Sequence, residues 1–182
     1  MKRIVGTVCA VVVAVALAGC STMTPTSYAP YADNNVALRK HEGVSVSVGS
    51  LSDTSNFSAN CRLMGPITAS GNRSIAQFVQ DSFNDEFKFA AIHGSDTVLQ
   101  GELTHAEFSS TSGLTNGWWI LRVTLRNPDN GSSLTADARY DFPSGFDAMT
   151  ACTQTAQALT PAVQRLVNSA VSKPEFAKLI AR

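Results

Sequence analysis

The pattern of hydrophobic and polar positions predicts strands and helices throughout residues 43–182. Val44-Ser45-Val46-Ser47-Val48 alternates with a period of two, which predicts a half-buried strand with its valines inward. A short strand is also expected over 62–67. Three later segments also have the pattern of strands: 97–108, 118–126 and 134–142.

Two segments have the spacing of amphipathic helices. The first covers about 74–92, with Asn72 or Ser74 as its N-cap and Gly94 as a left-handed stop. The second is C-terminal, and Pro161 inside it either kinks the helix or opens a new one with Thr160 as cap. Their apolar positions, interpreted as core faces, are Ile75, Phe78, Val79, Phe83 and Phe87 in the first, and Met149, Cys152, Ala156, Leu159, Val163, Leu166 and Ala170 in the second.

The order of these elements favours an α+β fold, because runs of consecutive strands with hairpin turns are typical of that class. We expect a four-stranded antiparallel sheet with two helices packed on one face, forming a single domain over 43–182. The turn Asn127–Gly131 should join the last two strands as an antiparallel hairpin. In that hairpin, Arg122 and Arg126 are expected to oppose Asp137 and Asp141 on the solvated face.

The N-terminus has the layout of a secretory signal. Two basic residues (Lys2 and Arg3) precede an apolar run from Val8 to Leu17, which is too short for a clear membrane span. The following Leu17-Ala18-Gly19-Cys20 resembles the lipobox of bacterial lipoproteins. The resemblance implies that residues 1–19 are a signal peptide and that Cys20 is acylated. Residues 20–42 then read as the acylated N-terminus and a flexible tether spanning about 25 Å.

Charge and cysteine usage narrow the class further. The chain has 14 Lys and Arg residues and 14 Asp and Glu residues, and Lys2 and Arg3 are lost with the signal. The slightly acidic remainder gives no general attraction to nucleic acid, so no nucleic-acid partner is expected. Beyond the signal peptide and the lipidated Cys20, only Cys61 and Cys152 remain. In an oxidising compartment they are expected to form a disulfide; the alternative is two buried free thiols.

Candidate chemistry is sparse. His105 and Glu107 are two apart on a strand and share a face, as two ligands of a zinc site would. The only other histidines are His41 and His93, and neither a CxxC nor an HExxH motif occurs. We therefore interpret His105 and Glu107 as solvated polar residues, and we expect no catalytic residue, no cofactor and no metal.

The pair Trp118-Trp119 is the best candidate for contact with a partner. Alternation places Trp119 with Leu121, Val123 and Leu125 in the core, and Trp118 on the wet face. An exposed tryptophan beside the loop 109–117 is typical of interface anchors. The alternative is that Trp118 folds over a neighbouring side chain.

The lipobox, the tether and the order of helices and strands resemble small envelope lipoproteins of Gram-negative bacteria: YajG-like lipoproteins, auxiliary lipoproteins of ABC transporters and the LPS-assembly lipoprotein. Ser21 after Cys20 is similar to their outer-membrane sorting pattern. The resemblance implies a lipid anchor at the periplasmic face of the outer membrane, and a non-enzymatic accessory subunit that binds a protein partner in envelope assembly or transport. The alternative is a domain that binds a lipid or small ligand in an apolar cavity between helices and sheet; an enzyme comes third.

Overall fold

A computed structural model describes residues 23–113 and 115–182, and these form an α+β fold. The predicted signal peptide (residues 1–19) and Cys20 lie outside the described residues. Two 3-10 turns, Arg39–His41 and Ser70–Asn72, accompany the main elements. Those elements are α1 (Ala32–Leu38), β1 (Val46–Asp53), α2 (Ile75–Phe89), β2 (Thr97–Ser112), β3 (Asn116–Arg126), β4 (Ser133–Pro143), α3 (Ala148–Val171) and α4 (Glu175–Leu179).

The four strands form one sheet in the order β1-β2-β3-β4. The sheet is mixed, so the expectation of a purely antiparallel sheet is wrong for one pair: β1 runs parallel to β2, while β2–β3 and β3–β4 are antiparallel. The reason is the long connection through α2, because a crossover helix returns the chain to the same end of the sheet. The sequence analysis expects all four strands to be antiparallel, and β1 is the strand that differs.

One face of the sheet carries the core. The helix α2 packs against β1, and α3 packs against β3 and β4 and also contacts α2. The two long predicted helices therefore do cover the sheet. The largest fully buried side chains include Trp119, Phe78, Phe83, Phe87, Phe176, Leu99, Leu103, Leu121 and Leu125.

The β3–β4 hairpin forms as predicted, but its register corrects one expected pair. Arg122 lies opposite Asp137, as expected. Arg126 lies opposite Ser133, and Asp141 lies opposite Trp118, so the Arg126–Asp141 pair is wrong. Hydrogen bonding of Asn127 N–H to Ser132 O closes the turn and fixes this offset along the whole hairpin. The expected long loop 109–117 is also shorter, because β2 extends to Ser112 and β3 begins at Asn116.

The helix α2 starts where the sequence predicts and ends differently. Ser74 and Gln77 form a capping box at its N-terminus. At the C-terminus Ala91, rather than Gly94, takes the left-handed conformation with φ 60°. Ala91 N–H donates to Lys88 O and Ile92 N–H donates to Phe87 O, which is the Schellman arrangement. An alanine there carries the strain that a glycine would avoid.

The helix α3 runs through Pro161 without dividing, so neither a new helix nor a cap at Thr160 is needed. Cys152 is fully buried on its inner side, whereas Met149, expected in the same seam, is 51% exposed. Within the described part of the chain, no helix combines the length and the apolar character needed to cross a membrane.

Residues 23–42 differ most from expectation. Their composition predicts part of a flexible tether, but they fold against the domain and contain α1. Met23 is 7% exposed and Leu38 is fully buried. The segment is held by polar contacts to the body of the domain, which composition alone does not reveal. The short strand expected over 62–67 is absent from the described residues; that stretch makes only isolated bridges, at Pro66 and Ile67.

Candidate functional site

The two adjacent tryptophans point to opposite faces of β3, as their alternation predicts. Trp119 is fully buried, and its indole N–H donates to Thr155 O at 2.8 Å. Its ring lies 4.9 Å from that of Phe108 and 5.8 Å from that of Phe57. Trp119 is therefore a structural residue that joins β3 to α3 and to the loop after β1.

Trp118 lies on the open face of the sheet and is half-buried. The guanidinium carbon of Arg139 lies 5.2 Å from its ring centroid, in a cation–π arrangement. Asp141, directly opposite Trp118 in the hairpin, accepts from Arg139 Nε at 3.1 Å and from Nη2 at 2.8 Å. These hydrogen bonds raise the pKa of Arg139 further above its ordinary value, so the cation is permanent.

We call the arrangement of Trp118, Arg139 and Asp141 the Trp118 platform. It agrees in part with each of the two expectations for Trp118, an exposed interface anchor and a ring that packs on a neighbouring side chain. The indole is on the solvated face, but one side of it is covered by its cross-strand neighbour. Tryptophan and arginine are the residue types that most often carry binding energy at protein interfaces. The platform thus offers a preformed aromatic and cationic surface on rigid strands.

His105 and Glu107 come together as their spacing predicts, with 3.4 Å between Nε2 and a carboxylate oxygen. Their side chains are 41% and 56% exposed, and they border a shallow depression of about 380 Å³ beside Phe57. Among the described residues no group of three or more His, Cys, Asp or Glu side chains is placed to hold a metal ion. The pair is a solvent-exposed contact at the edge of that depression.

The predicted disulfide between Cys61 and Cys152 is confirmed, with a Cα–Cα distance of 5.8 Å and a sequence separation of 91. It ties a tight turn after β1 to the first turns of α3. Arg62, next to Cys61, donates to Ser110 Oγ at 3.1 Å and to Phe146 O at 3.4 Å. One end of the domain is therefore cross-linked both covalently and by hydrogen bonds.

A buried carboxylate cluster is the feature that sequence reasoning missed. Glu86 is fully buried on α2. One of its oxygens accepts from Tyr28 Oη at 2.6 Å, from Tyr31 N at 2.9 Å and from Asn34 Nδ2 at 2.8 Å. Burial, followed by the hydrogen bond to Glu86, raises the pKa of Tyr28 far above its usual range, so its hydroxyl remains a donor.

A signal for this cluster was present in the sequence. Glu86 follows Phe83 by three residues on α2, so it lies on the apolar side of that helix. A carboxylate in such a position needs hydrogen-bond donors from elsewhere in the fold. The donors come from residues 28–34, which the composition had assigned to a tether.

Comparison of the chain with protein-family models and with curated proteins finds no match in either.

Proposed function

We propose that this protein is a lipid-anchored subunit of a Gram-negative envelope, held at the periplasmic face of the outer membrane. It would act by binding a protein partner in envelope assembly or transport, and not as an enzyme. The observation that carries the proposal is the motif Leu17-Ala18-Gly19-Cys20 after a basic start and an apolar run. The buried Cys61–Cys152 disulfide is in keeping with an oxidising compartment.

The Trp118 platform supports the partner-binding part of the proposal. Its indole and guanidinium are held in place by the hairpin and by Asp141, so little side-chain freedom is lost on binding. Preorganised aromatic and arginine side chains are typical anchors of protein interfaces. The platform is the surface that we expect a partner to cover.

The alternative of a ligand carrier is less well supported. The space between the helices and the sheet holds fully buried side chains such as Phe78, Phe83 and Trp119. A depression of about 420 Å³ lies instead among mostly polar residues, around Glu102 and Arg126 on the sheet. A carrier would need an apolar cavity that encloses most of its ligand.

The anchor is tested by metabolic labelling with a fatty-acid analogue. Cys20→Ser should abolish labelling and leave the precursor uncleaved at this site. Cys9→Ser is the matched control, because Cys9 lies in the predicted signal peptide and should not be acylated. Labelling of the Cys20→Ser protein at the wild-type level would refute the anchor.

The partner surface is tested by placing a photo-crosslinking amino acid at Trp118 in cells. Thr124, on the same face of β3 and also half-buried, serves as the control position. We expect a discrete crosslinked protein from position 118 and none from position 124. The same products from both positions, or none from 118, would contradict a specific interface at the platform.

A further inference from the structure

The first described residues are fixed to the body of the domain. Met23 N donates to Pro66 O at 3.2 Å, and Met23 O accepts from Thr68 N at 3.0 Å, as in a short parallel bridge. Met23 is buried, and its sulfur accepts from Thr153 Oγ1 on α3 at 3.6 Å. The described part of the chain begins at Met23, which therefore lies next to the segment that carries the disulfide.

The distance from this point to the proposed anchor is limited by the covalent chain. Only Ser21 and Thr22 separate Cys20 from Met23. Three residue steps span at most about 11 Å, even when fully extended. If Cys20 is acylated as proposed, the domain cannot stand off by the roughly 25 Å of a free tether. The surface around Met23 must then lie close to the lipid headgroups.

Exposed apolar side chains occur at this same end of the molecule. Among the described residues, Leu63 (102% exposed) and Phe146 (81% exposed) are the most exposed large hydrophobic side chains, and Met149 is 51% exposed. Such exposure, repeated in one region, is a mark of an interaction surface. We call Leu63, Phe146 and Met149 the apolar tip.

The connections around the disulfide hold the apolar tip together. Leu63 sits in the tight turn closed by Cys61 N–H donating to Gly65 O at 3.0 Å. Arg62 reaches from that turn to Phe146 O. Met149 precedes the disulfide-bonded Cys152 by three residues in α3, and Met23 contacts the next residue, Thr153. The apolar tip and Met23 therefore lie at the same end of the domain.

We propose that the apolar tip docks into the headgroup region of the bilayer beside the acylated Cys20. The proposal rests on the proposed anchoring and adds a defined orientation to it. Arg62 supports it, because its guanidinium donates to uncharged oxygens (Ser110 Oγ and O, Phe146 O) and keeps its charge available to a lipid phosphate. The one acidic side chain adjacent to Phe146 in sequence, Asp147, is already engaged as the N-cap of α3, where its carboxylate accepts from Thr150 N.

A fluorescence experiment on the acylated mature protein tests the docking. In a mature chain with Cys20 acylated and Cys61 and Cys152 joined, a cysteine introduced at Leu63 or Phe146 is the single free thiol for an NBD label. The labelled protein is reconstituted in vesicles of phosphatidylethanolamine and phosphatidylglycerol that contain spin-labelled lipid. Matched controls are Val36→Cys and Phe89→Cys, since both side chains are apolar and exposed (65% and 56%).

The proposal predicts that labels at 63 and 146 shift to shorter wavelength and are quenched by the spin-labelled lipid, whereas labels at 36 and 89 stay in water. Equal quenching at all four positions, or at none, overturns the docking while acylation is still detected by mass. If the labels at 63 and 146 instead shift to shorter wavelength with rising protein concentration in the absence of vesicles, the tip binds a second copy of the chain. That result also overturns the docking proposal.

Failure of the anchor is distinguishable from failure of the tip. If the mature protein carries no acyl chain, the proposed anchoring is wrong. The same labels are then read on residues 21–182 with excess vesicles, because this chain lacks Cys20 and the introduced cysteine is again the single free thiol. Quenching at 63 and 146 then supports a membrane-binding tip without an anchor, and labels that stay in water overturn it.

Charge substitutions provide a second readout that does not depend on acylation. In a chain of residues 21–182, which lacks both the apolar signal run and Cys20, Leu63→Asp combined with Phe146→Asp should weaken binding to these vesicles about tenfold or more, because two apolar side chains lose their burial. Val36→Asp with Phe89→Asp should leave that binding nearly unchanged. Equal losses in the two double variants would contradict the assignment of the tip.

Discussion

Replacing Glu86 by alanine should release the N-terminal segment from the domain. Residues 28–34 are attached to α2 through one carboxylate oxygen that accepts three hydrogen bonds, from Tyr28 Oη, Tyr31 N and Asn34 Nδ2. Other hydrogen bonds hold the segment to α3, among them those from Thr160 Oγ1 to Thr26 O and from Gln164 Nε2 to Ala29 O. In Glu86→Ala these donors lose their acceptor in an environment that excludes water. The segment can then stay in place with unpaired donors, or detach and expose Leu38.

The loss of stability expected for Glu86→Ala follows from these hydrogen bonds. Each hydrogen bond to a charged group contributes about 1.5–3 kcal/mol, so the three together contribute about 4–9 kcal/mol. Burying a carboxylate costs several kcal/mol, and alanine removes that cost. The net loss is therefore expected at about 2–4 kcal/mol. Detachment of the segment also limits the loss, because the sheet and the two long helices keep their own core.

Hydrogen exchange measured by mass spectrometry is the suitable assay. Protection of amides in the peptide 23–42 should fall by about 30-fold or more in Glu86→Ala, which corresponds to the lower end of this range. Amides of β3 should lose less protection, because they open only on global unfolding. Trypsin cleavage after Arg39 and Lys40 should accelerate in parallel.

Asp85→Ala is the matched control. Asp85 is the preceding residue of α2 and carries the same charge, but it is exposed and pairs with Lys88 at 3.0 Å. Its loss should change stability by a few tenths of a kcal/mol. The reasoning is refuted if the segment stays equally protected in Glu86→Ala, or if Asp85→Ala opens it to the same extent.

Three further predictions are tested by denaturant unfolding of the disulfide-intact mature domain. Phe83→Ala should destabilise by about 3–5 kcal/mol, since the ring is fully buried; an unchanged midpoint would mean that its packing is misassigned. Trp119→Ala should cost a similar amount, whereas Trp118→Ala should cost under about 1 kcal/mol and reduce partner capture; the reverse order of stability would contradict the register of β3. Ala91→Gly should stabilise by about 0.5–1 kcal/mol by relieving the positive φ, and Ala90→Gly, in helical conformation, should have the opposite sign.

Local patterns in the sequence determined most of the secondary structure. The alternation that separates Trp118 from Trp119 holds because successive side chains of a strand point to opposite faces, whatever the rest of the fold does. The capping box at Ser74 and the stripe from Ile75 to Phe87 are likewise local, since a helix places residues three and four apart on one face. The disulfide followed from elimination among four cysteines and from the expected compartment.

Only the tertiary structure decided how these elements are arranged. The parallel pairing of β1 with β2 depends on the direction in which the chain returns after α2, and alternation in β1 is the same for either direction. The placement of Arg139 and Asp141 beside Trp118 depends on the register that the Asn127–Ser132 turn sets. A shift of that register would place other side chains beside Trp118.

The N-terminal segment shows most clearly what the sequence alone does not determine. Residues 23–42 are polar and contain two prolines, a composition typical of a tether. Part of their attachment is to Glu86, more than fifty residues from its donors in 28–34, and this buried side chain needs such donors. Hydrogen-bond partners at that separation meet only in the folded chain. Local patterns therefore determined most of the helices and strands, whereas the fold decided that α1 and this segment belong to the domain.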